Sequence, residues 1–336
     1  MRVLRAGPGI SVQDLGRSGT LGQGLSRGGA LDPVALVEGA VLLGQDAGLA
    51  ALEIVGSFLT IEATSPVRIA LTGTPMRATL DGAAVAWNAS HTLPKAVRLD
   101  LSASPGGVSY LHLGGGIDAP QLLGSRSAHL TAGIGRMVAA GDTFPAGKDQ
   151  GTRTGLTVTP LPRFDGGLLR LVETPQTALF SPAQRARFVE TLFTKDTRAN
   201  RMGQKLHHSG PGFACEGGLQ VLSDTIVPGD IQITGDGAPF VLLAECQTTG
   251  GYPRIGTVLP CDLPRLVQAP AGAALRFAFV SFDEADAIEQ GHATKLRALR
   301  DSLRPLIRDP RDMADLLAHQ LVSGVTCGDD LERDRP

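Results

Sequence analysis

Glycine and proline interrupt this chain so often that few long apolar runs survive. Its 336 residues include 43 glycines and 22 prolines, roughly a fifth of the sequence against a usual combined level of about 12%. They are scattered between short aliphatic and β-branched runs rather than gathered into low-complexity tracts, so they mark tight turns between short strands. Phe58–Glu62, Val67–Leu71, Ala78–Leu80, Val97–Leu101, Ser109–Leu113, Leu168–Glu173, Leu219–Leu222, Phe240–Ala244, Thr257–Leu259 and Leu275–Ser281 are the expected strands. The chain therefore reads as mainly β.

Three stretches break that pattern. Asp32-Pro33 followed by VALVEGAVLLG is a helix with an aspartate N-cap, proline at its first position and Gly44 as the C-terminal cap. Ser181-Pro182 opens a second helix in the same way. Beyond Phe282 the composition turns charged and helical, with helices expected over 284–304 and 309–322 as a packing or contact appendage. The loop-rich stretch 147–163 is the best boundary between two halves.

Composition excludes several classes of function. Thirty-one basic residues against 33 acidic ones leave a net charge of −2, with no basic block to attract nucleic acid. No run approaches the roughly 18 apolar residues of a membrane span, and MRVLRAGPGISVQDLGR lacks a signal-peptide core. Cys215, Cys246, Cys261 and Cys327 show neither CxxC spacing nor a paired histidine pattern, so reduced thiols, no metal and a cytoplasmic location are expected.

Some familiar patterns fail on context. Gly24-Leu25-Ser26-Arg27-Gly28 has the G-x-S-x-G spacing of a nucleophile elbow, but a loop precedes it where the elbow needs a buried strand. GDTFPAGK at 141–148 has five residues between its glycines, and Asp149 stands where a phosphate-binding loop places Ser or Thr. His207-His208 are adjacent, point in different directions, and read as loop residues.

Four polar stretches stand where a β protein would otherwise be apolar. They are LGSRS at 123–127, with Ser125 and Arg126; NRMG at 200–203, with Asn200 and Arg201; GDIQ at 229–232, with Gln232; and QTTGGYP at 247–253, with Gln247, Thr248, Thr249 and Tyr252. Each alone can be a turn. Together they form a donor-rich set in which a guanidinium fork suits a carboxylate, amides and hydroxyls suit a small polar amide, and paired glycines let backbone N–H groups approach closely.

These motifs, with GPG at 7–9, VQDLGR at 12–17, GGALDP at 28–33, GGGI at 114–117 and Gly141-Asp142, resemble one family with several names. It is known as allophanate hydrolase subunit 2, as biotin-dependent carboxyltransferase and as the C subunit of 5-oxoprolinase, with KipA-like regulators among its members. The resemblance covers roughly residues 5–282. It implies two cyclophilin-like β-barrel units, over 1–150 (with one helix near 33–43) and 164–283, and a helical C-terminal tail over 284–336.

It also implies an amidohydrolase subunit, inactive without its partners. In an ATP-dependent 5-oxoprolinase complex it would act beside a KipI-like subunit-1 homologue and a third subunit, opening 5-oxoproline to glutamate. The alternatives are a urea/allophanate-type carboxyltransferase subunit using biotin carried on another protein, or a non-catalytic regulator that binds its subunit-1 homologue. None of Met1, Met76, Met137, Met202 or Met313 is followed by lysine, so no covalently bound cofactor is expected here. Arg126, Arg201, Gln247, Thr248 and Tyr252 are expected to line one cleft facing the partner. Asp14, Arg17 and Asp32 either complete it or form a structural ion cluster.

Overall fold

A computed structural model describes residues 1–102, 106–196, 200–218 and 221–307. It is mainly β, with the sheets divided between the two parts of the chain. In the first part, a five-stranded sheet runs in the order Arg2–Ala6, Leu59–Glu62, Arg98–Leu101, Ala78–Leu80, Ala83–Ala84. It faces a seven-stranded sheet ordered Ile10–Gln13, Ala51–Val55, Val108–Leu113, Val67–Gly73, Ala89–Leu93, Leu156–Thr157, Arg304–Pro305. Between them lies a core that includes Val3, Ile10, Leu52, Ile61, Ile69 and Leu99.

The second part holds another seven-stranded sheet, ordered Thr194–Lys195, Gly203–His207, Pro239–Leu242, Asp230–Ile233, Arg254–Val258, Gly167–Val172, Leu275–Phe279. Its last pair is parallel. A two-stranded ribbon joins Asp224–Thr225 to Thr249–Gly250. Helix α1 (Pro33–Leu43) has the expected caps: Asp32 accepts from the Ala35 N–H, and Gly44 is left-handed. α2 (Pro182–Glu190) has Ser181 as its N-cap and anchors through Phe188, which packs with Phe193, Phe213 and Phe277 at ring separations of 5.1–5.3 Å.

The third helical element, α3 (Leu263–Gln268), was not anticipated. Strands at Arg2–Ala6, Ile10–Gln13, Ala51–Val55, Ala89–Leu93, Gly203–His207 and Asp230–Ile233 were also absent from the sequence-based set. Several carry polar residues turned inward, so neither alternation nor an apolar run betrays them. In the Leu219–Leu222 stretch, Val221 and Leu222 are not strand, and residues 219–220 lie outside the described residues.

α4 (Phe282–Ala298) opens with a Ser281/Glu284 capping box. Leu296 and Leu299 at its far end, with Leu303, pack against Val37, Val41, Leu42 and Leu156 of the first part. Arg304–Pro305 then pairs with Leu156–Thr157. The described start of the tail is therefore fastened to the body, and the helix expected over 309–322 lies outside the described residues. One core cluster runs unbroken from Leu31, Leu36, Ala51 and Tyr110 into Leu169, Ile231, Ile255 and Phe277, so the two sets of sheets share apolar packing. No helix among the described residues is long and apolar enough to cross a membrane.

α1 meets the seven-stranded sheet of the first part at Gly39, where an added Cβ would sit 2.3 Å from the ring of buried His112. The Thr72 hydroxyl donates to the Ala35 carbonyl and so receives the His112 Nε2–H at 2.8 Å. Burial pushes the His112 imidazole down to about 3, which keeps it a neutral packing group. Gly39→Ala is expected to destabilise the protein by about 1–3 kcal/mol through overpacking, read as a lower midpoint in thermal or urea unfolding.

Candidate functional site

The LGSRS loop turns tightly through left-handed Leu123 (φ 52°) and Gly124 (φ 78°). Asp14 grips it from beneath. Its carboxylate accepts from Ser125 Oγ and the Arg126 N–H, both at 2.6 Å, from the Gly16 N–H at 2.8 Å, and from Ser127 Oγ. Burial alone would raise the Asp14 pKa, but these hydrogen bonds outweigh it and hold the carboxyl below its ordinary value. Arg17, 2% exposed, ties the same loop by donating to the carbonyls of Leu122 (3.1 Å) and Ser127 (2.5 Å).

The clamp leaves the Arg126 side chain outside, paired with Asp118 at 3.0 Å and a third exposed. Arg126 lines two cavities. One, of about 480 Å³, has mostly apolar walls that include Val12, Leu122, Met137 and Phe144. The other, of about 450 Å³, is polar and is lined by Gln45, Asp46, Asp118, Lys148, Gln150 and the backbone of Gly115 and Gly147.

Arg201 has a different environment. It enters the boundary between the two sets of sheets and bonds to Glu53, to Glu245 at 2.5 Å and to the Gly29 carbonyl at 2.5 Å. Burial works against its charge, but the two facing carboxylates outweigh that and raise its pKa. Glu53 stands directly across the strand pair from Tyr110. Its second oxygen accepts from Tyr110 Oη at 2.7 Å and from the Leu31 N–H at 2.8 Å. Arg201 lines neither of these two cavities.

Beyond Glu245 the network continues. Its second oxygen accepts from the Thr131 N–H and hydroxyl at 3.0 and 3.1 Å and lies 3.9 Å from His129 Nδ1. His129 Nε2 is 2.9 Å from Ser26 Oγ. This resembles a Ser-His-Glu relay, but its polarity is wrong for one. Nδ1 accepts from the Ala132 N–H at 3.2 Å, so in the neutral ring Nε2 carries the proton and donates to Ser26. A serine nucleophile needs that nitrogen free to take its proton.

The other expected residues hold the fold locally. Asp32 receives Arg163 Nε and Gln268 Nε2 at 2.7 Å each, and Arg163 grips Glu38 with both terminal nitrogens at 2.7 and 2.8 Å. Asn200 accepts from the N–H groups of Met202 and Gly203 to close its own turn. Gln232 is buried, with Nε2 2.4 Å from where a Cβ on Gly250 would lie, so a side chain there would displace the Gln232 amide. QTTGGYP forms the outer half of the two-stranded ribbon: Thr248 accepts from Ile226, Gly251 accepts from Val221, and Tyr252 is 41% exposed. Gln247, Thr248, Thr249 and Tyr252 line neither cavity.

Sequence reading missed Glu38, Glu53 and Glu245. The signal was present, since each is a lone acid inside an apolar run (VALVEGAVLL, ALEIV, LLAEC), and a buried acid requires a partner. Burial pushes the Cys246 thiol up to about 12 and raises that of Cys261 as well, which makes both poor nucleophiles. Among the described residues no group of three or more His, Cys, Asp or Glu is placed to hold a metal ion.

Asp14→Ala strands two hydroxyls and two N–H groups and is expected to cost about 3 kcal/mol or more. Because the folded carboxyl sits below its ordinary value, its contribution is present above the unfolded pKa of about 4. It is lost as pH falls through the lower folded value. Urea denaturation should therefore show a wild-type advantage over Asp14→Ala at neutral pH that closes at the acid end of the range.

Comparison with known proteins places this geometry in context. The family model for the carboxyltransferase domain, subdomains A and B, matches residues 23–279. The chain is 36% identical over 292 residues to the C subunit of 5-oxoprolinase from Escherichia coli, covering 85% of this chain and 93% of that protein. Among solved structures, TTHA0988 aligns with TM-score 0.73 and 30% identity over 82% of this chain, which spans only 55% of the length of TTHA0988. The urea amidolyase of K. lactis shares the fold, with TM-score 0.76 at 22% identity over 92% of this chain and 21% of that one. By the extent of these matches, the chain belongs to the family of carboxyltransferase-domain proteins built from subdomains A and B.

Proposed function

We propose that this chain is one subunit of an ATP-dependent, cytoplasmic 5-oxoprolinase-type complex that opens 5-oxoproline to glutamate. The carrying observation is the extent of the match. The chain aligns with 93% of the 5-oxoprolinase C subunit, but with only 21% of the urea amidolyase chain. Under this reading it works with a subunit-1 homologue and a third subunit and is inactive alone.

The polar cavity beside Arg126 is the part of the chain best suited to such a substrate. 5-Oxoproline carries a carboxylate and a lactam amide. Arg126 offers a fork for the carboxylate, and Lys148, which makes no ion pair among the described residues, adds a second positive charge. The side chain of Gln150 supplies an amide to orient the lactam. The ATP is used by the complex; no phosphate-binding motif of this chain is assigned to it. Ser125, Asp14 and Arg17 serve by fixing the loop that presents Arg126.

A second reading draws on the family itself, since the matched family model is a carboxyltransferase domain. In it the chain transfers a carboxyl group from biotin held by another protein, because no methionine here is followed by lysine. A third, a regulator that binds the subunit-1 homologue without turnover, predicts that Arg126 can be removed without effect.

The test is reconstitution. Mixed with its subunit-1 homologue, the third subunit and ATP, the protein should release glutamate from 5-oxoproline, and omitting this chain should abolish release. Arg126→Ala should lower kcat/KM at least about 10-fold, the loss expected for a charge-assisted hydrogen-bond pair. No release from a stable assembly of all three proteins would exclude the reading and leave carboxyl transfer or regulation.

A further inference from the structure

Asp118 and Arg126 both line the polar cavity and pair at 3.0 Å, with 56% of the Asp118 side chain exposed. Only one nitrogen and one oxygen take part. Among the described residues, Arg126 Nε and Nη1 and the second Asp118 oxygen have no hydrogen-bond partner. A single exposed contact of this kind is weakly held, whereas a carboxylate that engages both prongs of a guanidinium is held more strongly. An incoming carboxylate can therefore displace Asp118.

Both residues are anchored through the backbone. The Ile117–Ala146 bridge, the Asp118 N–H on the Pro145 carbonyl and the Gly147 N–H on the Gly116 carbonyl, each at 2.9 Å, stitch the segment carrying Asp118 to the one carrying Lys148. Arg126 is held by its own N–H on Asp14. The charges lining the cavity are Arg126 and Lys148 against Asp46, Asp118 and Asp149. Asp149 is neutralised by Arg68, which is not in the lining, at 2.8 and 2.5 Å. Asp46 accepts the Gly48 N–H and meets no cation among the described residues. Asp118 is thus the one acid of the lining that sits on a lining cation.

We propose that Asp118 is the specificity residue of the polar cavity: it occupies Arg126 when the cavity is empty, and a ligand carboxylate takes its place. This rests on the reading of that cavity as the substrate site and adds a charge rule to it. Asp118 penalises each negative charge a ligand carries. A neutral lactam escapes the competition, a monocarboxylate such as 5-oxoproline meets it once, and a dicarboxylate meets it with both charges. The cavity is suited to a singly charged acid.

The experiment is calorimetric titration of the full, isolated chain at low ionic strength with 2-pyrrolidinone, 5-oxoproline and glutarate, which are neutral, singly and doubly charged. Asp118→Asn removes the charge from an exposed side chain, and circular dichroism checks that the fold is kept. It should leave 2-pyrrolidinone unchanged, tighten 5-oxoproline roughly fivefold and tighten glutarate roughly tenfold. Those gains correspond to removing a like charge about 4 Å from one carboxylate and about 8 Å from a second in water. Asp165→Asn, which removes an exposed charge in the second part of the chain, should change none of the three. With Arg126→Ala in place, Asp118→Asn should bring no further gain. Gains that are absent, equal for all three ligands or independent of Arg126 would overturn the proposal, as would failure of 5-oxoproline to bind either protein. The glutamate-release assay fails separately. Release with no change in affinity on Asp118→Asn overturns the role of Asp118 alone. Graded gains without release overturn the 5-oxoprolinase reading and leave Asp118 as the selector in a site for another acid.

Discussion

The carboxylate of Glu53 is fully buried in the middle of a strand, and much of the architecture follows from what keeps it there. An ionised acid in an apolar interior is tolerated only when charge and hydrogen bonds surround it. Here the Tyr110 hydroxyl and the Leu31 N–H satisfy one oxygen, while the other meets Arg201, which comes from the opposite set of sheets. Separating the two sets would strand a negative charge on one side and a guanidinium on the other. The apolar cluster shared between the sets supplies area, and the Glu53–Arg201–Glu245 chain fixes the relative placement of the surfaces.

That arrangement separates two arginines that look alike in sequence. Arg126 and Arg201 each sit in a short polar turn, yet one is a third exposed beside two cavities and the other is enclosed by two acids and a carbonyl. Asp14 makes the difference for Arg126. By gripping the loop through Ser125, Ser127 and the Arg126 N–H, it turns the loop's polar atoms inward and leaves one guanidinium outward. Held from below, the loop leaves this guanidinium at the surface, paired with Asp118.

Local signals were legible in the sequence where the physics is local. The caps of α1, the Ser181 N-cap of α2 and turn-bounded apolar strands such as Val67–Gly73 and Val108–Leu113 depend on residues a few positions apart, and they stand where those residues put them. The strand Asp230–Ile233 was not legible because its polar residues are satisfied from a distance: Asp230 bonds Thr257 and Arg254, far along the chain. QTTGGYP shows the converse. Its polarity suggests a site wall, but in space Thr249–Gly250 is the partner strand of Asp224–Thr225, a pairing no short window can reveal. Of the candidate residues, Asp14 and Arg17 were visible as polar residues near the start of the chain. Their role as a clamp appears only when residues 122–127 fold back onto them.

The seven-stranded sheet that begins at Ile10–Gln13 is not finished by the part of the chain that contains most of it. Its outermost pair, Leu156–Thr157 with Arg304–Pro305, waits for a segment made nearly 150 residues later. At ribosomal rates of about 5–20 residues per second, that is a delay of roughly 7–30 s. Throughout it the Leu156–Thr157 edge stands open, with unpaired backbone groups that can template pairing with another nascent chain. Leu296, Leu299 and Leu303 arrive with the missing strand and cover α1 at the same moment. The first-made part of the protein is therefore the last to be sealed, and its safety during synthesis rests on how well that edge is shielded until the chain returns.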